Sequence, residues 1–557
     1  MIEKDRPWLN SYPPEVSPEI DPHPFESIND LFDYVVRRYA DNTAYINMLG
    51  HITYDDLRTQ VESFAAFLQQ SCKLKKGDKL AIMMPNLIQY PIALFGAFKA
   101  GLIVVNINPL YTPRELRMQL RDSGADAIVV IANYAFNLQK IVNQTKIKHV
   151  IVTNVGDSYG FFKGHVVNFV VRSILKMVPK FMMANSVSFK KALSIGSKLT
   201  LEPVLNRYDD IAFLQYTGGT TGLPKGAQLS HGNIIANISQ LLEMYGAVVT
   251  RGEETIVTAI PLYHIFAMTV NCLLFLAIGA TNILITDPRK LDSFIKELRR
   301  HPEISVFTGV NTLFNALLNH KDFEKINFDK LRLVIGGGAA IQSGVAERFH
   351  AKTGLNILEG YGLTECSPVC SVCPYTVKGY TGSIGIPLPS TLARIIDSNG
   401  NEIWDLNVPG ELEIKGPQVM KGYLNNQRAT QNVMHDGYVK TGDIAVWLEG
   451  GYIKLIDRLK DMILVSGFNV FPSEIEDVVS KFDKVLECAA VGVKSDTSGE
   501  AIKLFVVKRD PSVTVDEIKD YCRAYLTPYK IPHYVVFTNS LPKSAIGKVL
   551  RRSLRSA

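Results

Sequence analysis

The chain lacks the marks of several whole classes of protein. Seven cysteines in 557 residues form no dense, even framework, which excludes a disulfide-built secreted domain and points to a reducing compartment. No Walker-type G-x-x-x-x-G-K-[S/T] loop occurs. There is no internal repeat and no low-complexity tract. The start, Met1-Ile2-Glu3-Lys4-Asp5-Arg6, has no apolar stretch, so no signal peptide is expected. Negative charge is missing from one place: Ser158 to Leu201 has no acidic residue but holds Lys163, Arg172, Lys176, Lys180, Lys190, Lys191 and Lys198. The formal net charge of +6 resides there, because the remainder has 53 basic and 54 acidic residues. A near-neutral body argues against a nucleic-acid binder, which spreads a basic face over a domain.

What is present is globular. Apolar residues make up 46% and charged residues 20%, an ordinary balance. Strand-like runs alternate with helical stretches: Lys79–Met84, Ile103–Asn106, Ala127–Ile131, Val150–Thr153, Ile256–Ala259 and Leu331–Ile335. That alternation predicts an α/β fold. Near Asp457 the pattern changes to a smaller α/β unit. A Ser473-x-x-Glu476 capping box opens a helix to Phe482, strands follow at Leu486–Val493 and Ala501–Val507, and a Thr514-x-x-Glu517 box opens a second helix.

Two segments raise the question of a membrane. Thr255–Thr286 carries no formal charge apart from His264 when protonated, and Ile265–Ile285 is 21 residues long, enough to span a bilayer. Gly279-Ala280-Thr281-Asn282 breaks the run, so a buried helix of about 14 residues and a short strand are expected. An integral transporter is the rival reading. In the basic segment, Val166, Val167, Phe169, Val170, Val171, Ile174, Leu175 and Val178 alternate with Asn168, Arg172 and Lys176 at helical spacing, and Pro179 should end the helix. This reads as a helix lying on a membrane surface. The alternative is a packed helix with a solvated cationic face.

Chemistry concentrates in glycine-rich turns. Tyr216-Thr217-Gly218-Gly219-Thr220-Thr221-Gly222-Leu223-Pro224-Lys225-Gly226 lets the backbone approach an anion, offers three hydroxyls and adds a point charge. Those groups suit a polyphosphate. Gly336-Gly337-Gly338-Ala339-Ala340 leaves room for a flat ligand. Tyr361-Gly362-Leu363-Thr364-Glu365 supplies an aromatic face, a hydroxyl and a carboxylate. Tyr438-Val439-Lys440-Thr441-Gly442-Asp443 puts a carboxylate on a tight turn, suited to sugar hydroxyls. Pro542 to Lys548 ends in a lysine on a loop.

With these motifs in this order, the chain resembles the adenylate-forming enzymes, the superfamily of acyl-CoA synthetases, luciferases and peptide-synthetase adenylation domains. The resemblance runs from Thr53-Tyr54-Asp55-Asp56-Leu57, through Lys99-Ala100-Gly101 and Asn106-Ile107-Asn108-Pro109, to Arg551-Arg552. Pro261–Ala267, Gly309–Leu318, Leu464–Val470 and the region from Asp436 to Lys460 are similar to the branch of bacterial long-chain fatty-acid–CoA ligases. Tyr438, where tryptophan is usual, and Leu459, where a basic residue is common, depart from that pattern.

The resemblance implies a large multi-subdomain N-terminal adenylation domain (1–457), a hinge (458–461, with Lys460 at the pivot) and a small mobile C-terminal α/β domain (462–557). It implies two steps. A fatty carboxylate attacks the α-phosphorus of ATP and releases pyrophosphate; coenzyme A thiolate then displaces AMP. Thr217, Gly218, Gly219, Thr220, Thr221, Gly222 and Lys225 would hold the β,γ-phosphates, and Glu365 would hold Mg²⁺. Thr364 would touch the α-phosphate. Tyr361 would stack on adenine beside Gly338, Ala339 and Gly362. Asp443 would take the ribose hydroxyls, with Arg458 nearby. Lys548 would bridge the carboxylate and α-phosphate, His264 would line the carboxylate end of the acyl channel, and Gly467 would serve thioester formation. Partners would be a long-chain fatty acid, ATP and CoA, with no nucleic acid. The resemblance leaves a homodimer open and is compatible with a cytoplasmic enzyme held against the inner face of the cell membrane through 158–201.

Rivals inside the fold are a medium-chain or aromatic acid–CoA ligase, a fatty acyl-AMP ligase or a luciferase-like oxygenase. No carrier-protein domain follows Ala557, which weighs against a peptide synthetase. Outside the fold, Cys366-x-x-x-Cys370-x-x-Cys373 has the spacing of a radical-SAM iron–sulfur site.

Overall fold

The computed structural model describes residues 6–21, 24–183, 185–217, 224–465, 468–495, 498–544 and 547–555. Among the described residues the strands form four sheets. In the eight-stranded sheet, Ile211–Thr217, Ile103–Asn106, Lys79–Met83, Ala127–Ile131, His149–Thr153 and Ser186–Ser188 run parallel. Lys225–Ser230 folds back antiparallel on Ile211–Thr217. In the nine-stranded sheet, Leu358–Gly362, Leu333–Gly337, Val306–Gly309, Thr255–Thr258, Thr281–Leu284 and Thr43–Asn47 are parallel. The central strands of both sheets are buried on both faces, so they read as unbroken apolar runs rather than alternating ones.

A five-stranded antiparallel sheet contains Tyr438–Trp447, paired with Ile453–Arg458 so that Asp443 faces Arg458. The fourth sheet, with strands Ile463–Val465, Phe468–Val470, Val485–Ser495, Gly499–Lys508 and Tyr534–Phe537, has its own core of Ile463, Ile475, Leu504 and Ile518. The three tryptophans, Trp8, Trp447 and Trp404, stack with both ring spacings at 5.8 Å, tying the N-terminal arm to the third sheet.

The uncharged run folds as expected, as helix and then strand Thr281–Leu284, and no described helix is long and apolar enough to cross a membrane. Its polar groups are paired in the core: the Asn271 amide donates to the Val257 carbonyl and to Thr308, and Thr269 donates to the Ser367 carbonyl. Two local expectations fail. Ser473 does not cap its helix. Pro472–Ser480 starts two residues before the first helical position that a Ser473 cap implies, with proline in the first turn, while the Ser473 amide donates to Asp457 Oδ2 and Glu476 binds Arg551. The basic helix does not run to Pro179. It is α-helical over Phe161–Phe169, widens to a π-turn over Val170–Ile174, and stops where Lys176 takes φ +52°.

Candidate active site

Both large parallel sheets present their carboxyl ends to one cavity of about 1290 Å³. Such ends are the usual ligand crevice of open α/β sheets. Thr217 ends one strand and Gly362 another, and Gly338 follows a third. The third sheet contributes Lys440, Thr441 and Gly442, and the C-terminal sheet's unit contributes Ser544, Lys548 and Arg551. The mouth is polar. The buried side chains of Leu241, Tyr245, Val270, Leu274, Phe275 and Ile278 form an apolar part of the lining, here called the limb.

Tyr361 lines the mouth, and Asp443, which is buried and not among the lining residues, is held against it. The Tyr361 hydroxyl donates to Asp443 Oδ2 at 2.6 Å, and Arg458 pairs with Oδ1 at 2.7 Å. The register that sets Asp443 opposite Arg458 makes this pair. The Asp443 amide donates to Thr441 Oγ1, and the Gly442 amide donates to Glu411. A Cβ on Gly362 would lie 2.0 Å from the Pro368 carbonyl oxygen, so only glycine allows the Tyr361–Glu365 turn to pass there. Gly338 lines the cavity at φ +76°, whereas Ala339 is not among the lining residues.

Thr217 and Lys225 face each other across the base of the antiparallel hairpin. Gly218, Gly219, Thr220, Thr221 and Gly222, together with Gly467, lie outside the described residues. Lys225 Nζ sits 5.0 Å from the ring centre of Tyr423, whose hydroxyl donates to Glu365 Oε1 at 2.6 Å. Thr364 and Glu365 also line the cavity. Sequence reading missed Tyr423, since a Lys-Gly-Tyr turn carries no distinguishing signal until folding brings it beside Glu365.

Lys548 borders the same cavity. The Thr312 hydroxyl donates to the Gly547 carbonyl at 3.3 Å, docking this loop on the larger unit. Lys548 keeps open surface toward the cavity, but the enclosing walls push its pKa down to about 8, helped by Arg458. His264 is held neutral: desolvation, then Lys548, push it down to about 4. Its Nδ1 accepts from the Phe266 amide at 3.3 Å, leaving the proton on Nε2. Arg551, also missed as a site residue, donates to Glu476 at 2.7 Å and reaches Asp457 at 3.5 Å, while Arg555 pairs with Asp461 at 3.1 Å. These two arginines hold the segment that links the third and fourth sheets.

A cation here would have few protein ligands. Glu365 is one carboxylate, with the Thr217 and Thr364 hydroxyls in the same cavity, and among the described residues no cluster of three His, Cys, Asp or Glu could hold a metal. That set fits a hard ion shared with phosphate oxygens, not a free-standing site. The finding also corrects the iron–sulfur alternative. Cys366, Cys370 and Cys373 are buried free thiols; Cys366 and Cys370 lie against each other, but with Cys373 beside Thr381 the three form no group that could hold a metal.

A fold of two parallel sheets and a small C-terminal unit, closed over a mouth of this make-up, defines an adenylate-forming enzyme. The chain belongs to the AMP-binding enzyme family: the family's model matches residues 32–424, and that of the AMP-binding enzyme C-terminal domain matches 474–548. It is 53% identical over 549 residues to a long-chain-fatty-acid–CoA ligase of Escherichia coli O6:H1, covering 98% of this chain and 97% of the relative. It is 34% identical over 557 residues to one of Bacillus subtilis, covering 99% and 98%. Among solved structures, ATP-bound MatB from Rhodopseudomonas palustris superposes with TM-score 0.81 at 26% identity over 95% of this chain and 98% of that one. An anthranilate CoA ligase with anthranoyl-AMP shares the fold, at TM-score 0.83 and 22% identity over 96% and 97%.

Proposed function

We propose that this protein is an AMP-forming long-chain fatty-acid–CoA ligase. The observation that carries the reading is that the charged mouth and the apolar limb line one and the same cavity. An acyl chain in the limb would deliver its carboxylate between His264 and Lys548. Neutral His264 offers an Nε2–H donor without trapping the carboxylate as an ion pair. Lys548 would meet the charge shared by carboxylate and α-phosphate. A carboxylate oxygen bonds to the α-phosphorus as the bond to pyrophosphate breaks, so catalysis is mainly positioning and electrostatic stabilisation. Thr217 and Lys225 would hold the departing phosphates, and Tyr361, Gly338, Asp443 and Arg458 the nucleoside. Bound at Glu365, Mg²⁺ would neutralise phosphate charge.

Residues 1–457 would form the adenylation domain and 462–557 a mobile domain, turning about 458–461 with Lys460 at the pivot. Lys548 in the mouth fits the adenylation arrangement. Rotation would withdraw it so that coenzyme A thiolate can attack the acyl carbon and expel AMP. With ATP, CoA and oleate, the purified protein should form oleoyl-CoA, AMP and pyrophosphate in equal amounts, at least about a hundredfold faster than the thioester of benzoate. Release of ADP, or equal rates with benzoate, would overturn the reading.

We also propose that the acid-free segment rests on an anionic membrane at the inner face of the cell membrane. Phe162 is 82% exposed, Val166 63%, and Phe169 and Ile174 61% each, so the apolar residues face outward while Gly164 packs against Gly156. Exposed Met48 and Leu49 extend the patch, because the Tyr159 hydroxyl donates to Asn47 in their hairpin. Lys163, Arg172, Lys176 and Lys180 are exposed alongside. This combination fits a surface-lying helix. Neutralising Arg172, Lys176 and Lys180 together should weaken sedimentation with phosphatidylglycerol vesicles and spare adenylation of soluble short acids. Unchanged sedimentation would contradict it.

A further inference from the structure

Tyr423 reaches the site by an unusual route. The short strand Gly422–Tyr423 pairs antiparallel with Lys225–Ser230, placing Tyr423 opposite Ala227. Its backbone is fixed on both sides: the Tyr423 amide donates to Thr430 Oγ1 at 2.9 Å, and the Leu424 amide to the Gly226 carbonyl at 2.8 Å. Lys225 and Ala227 lie two residues apart, and alternate positions on a strand share a face. Tyr423 is therefore fixed relative to Lys225. Glu365 comes from a separate turn, Thr364–Cys366, yet the same segment grips it as well. The Met420 amide donates to the Glu365 carbonyl at 2.8 Å, and the Tyr423 hydroxyl donates to its carboxylate.

The arrangement solves an electrostatic problem. An ammonium and a carboxylate lining one partly desolvated cavity attract strongly and would neutralise each other while the site is empty. Among the described residues no ion pair joins Lys225 to Glu365. Tyr423 stands between them, its ring face under the ammonium and its hydroxyl on the carboxylate.

We propose that Tyr423 is a positioning residue that keeps Lys225 and Glu365 apart and oriented, so that one polyphosphate and its cation can engage both at once. This rests on reading the site as the ATP site. Tyr423 itself touches no reacting atom. Its two contacts act on different partners: the hydroxyl through Glu365 on the cation, the ring through Lys225 on the phosphates.

The test is calorimetric titration of ATP into the whole protein, once with Mg²⁺ and once with EDTA. Tyr423→Phe keeps the ring and removes the donor. It should weaken Mg²⁺–ATP binding about tenfold, the size expected for a hydrogen bond to a charged group, and change metal-free ATP binding less than twofold. Tyr423→Leu removes both contacts and should weaken both. In a Glu365→Gln background Tyr423→Phe should add almost nothing, because its target is gone. Equal losses of Mg²⁺–ATP and metal-free ATP in Tyr423→Phe, or no loss in either, would overturn the assignment while wild-type binding upholds the site reading. A full tenfold loss persisting in the Glu365→Gln background would also overturn it. Failure of the wild type to bind ATP would overturn the site reading and this assignment together.

Discussion

The two ends of the cavity are built on opposite principles. In the mouth, charged side chains are matched individually: Asp443 with Arg458 and Tyr361, Glu365 with Tyr423, Arg551 with Glu476. In the limb, Leu241, Val270, Leu274, Phe275 and Ile278 offer shape and dryness but no directional bond. Directed bonds discriminate sharply, because a mismatched ligand leaves a buried group unpaired. An apolar wall discriminates by about a factor of ten to two hundred per methylene. The mouth should therefore be strict about nucleotide and the limb graded in chain length.

That contrast can be broken at either end. The largest effect belongs to the mouth. Lys548→Ala should lower oleate-dependent ATP–pyrophosphate exchange about 10²–10³-fold, while thiolysis of supplied oleoyl-adenylate by CoA stays near wild type. Exchange at wild-type level would remove Lys548 from the first step. Asp443→Asn should raise the KM for ATP about tenfold, since it weakens the pair with Arg458, and leave relative rates among fatty acids unchanged. Leu274→Trp, in the limb, should do the reverse. It should lower kcat/KM for oleate about tenfold by overpacking, with little change for hexanoate or for the KM of ATP. A matched loss for both acids would mean that the limb does not carry the chain.

The smallest expected effect is a pH dependence. Lys548 is depressed from 10.5 to about 8, so its ammonium form is complete below that value and is lost as pH rises through it. kcat/KM for ATP, which reports the free enzyme, should fall about fourfold between pH 7 and pH 8.5. A flat profile to pH 9 would mean that burial and the neighbouring Arg458 do not depress Lys548 in the free enzyme.

The mouth was largely legible in the sequence and the limb was not, for a physical reason. Turns that bind anions need glycine, hydroxyls and lysine within a few residues, so Thr217–Lys225 and Tyr361–Glu365 stand out. The parallel strands were as clear, because burial on both faces leaves unbroken apolar runs: Ile103–Asn106 and Ala127–Ile131 match to the residue. The limb draws on residues from 241 to 278 on separate elements, and its shape exists only after packing. Contacts across units were hidden too. Ser473 has the spacing of a cap, but Asp457 in another sheet takes its amide. Tyr423 couples Lys225 to Glu365 through a strand of two residues that no periodicity announces. The basic helix was recognised by composition, whereas the outward aim of Phe162 and Val166 follows from Gly164 packing on Gly156.

The most direct test is ATP–pyrophosphate exchange by the wild type across straight-chain acids from acetate to oleate, with benzoate alongside and CoA absent. If the mouth and limb form one site for a fatty acid, kcat/KM should climb steadily with chain length and benzoate should support almost no exchange. A maximum at acetate or at benzoate would contradict that claim.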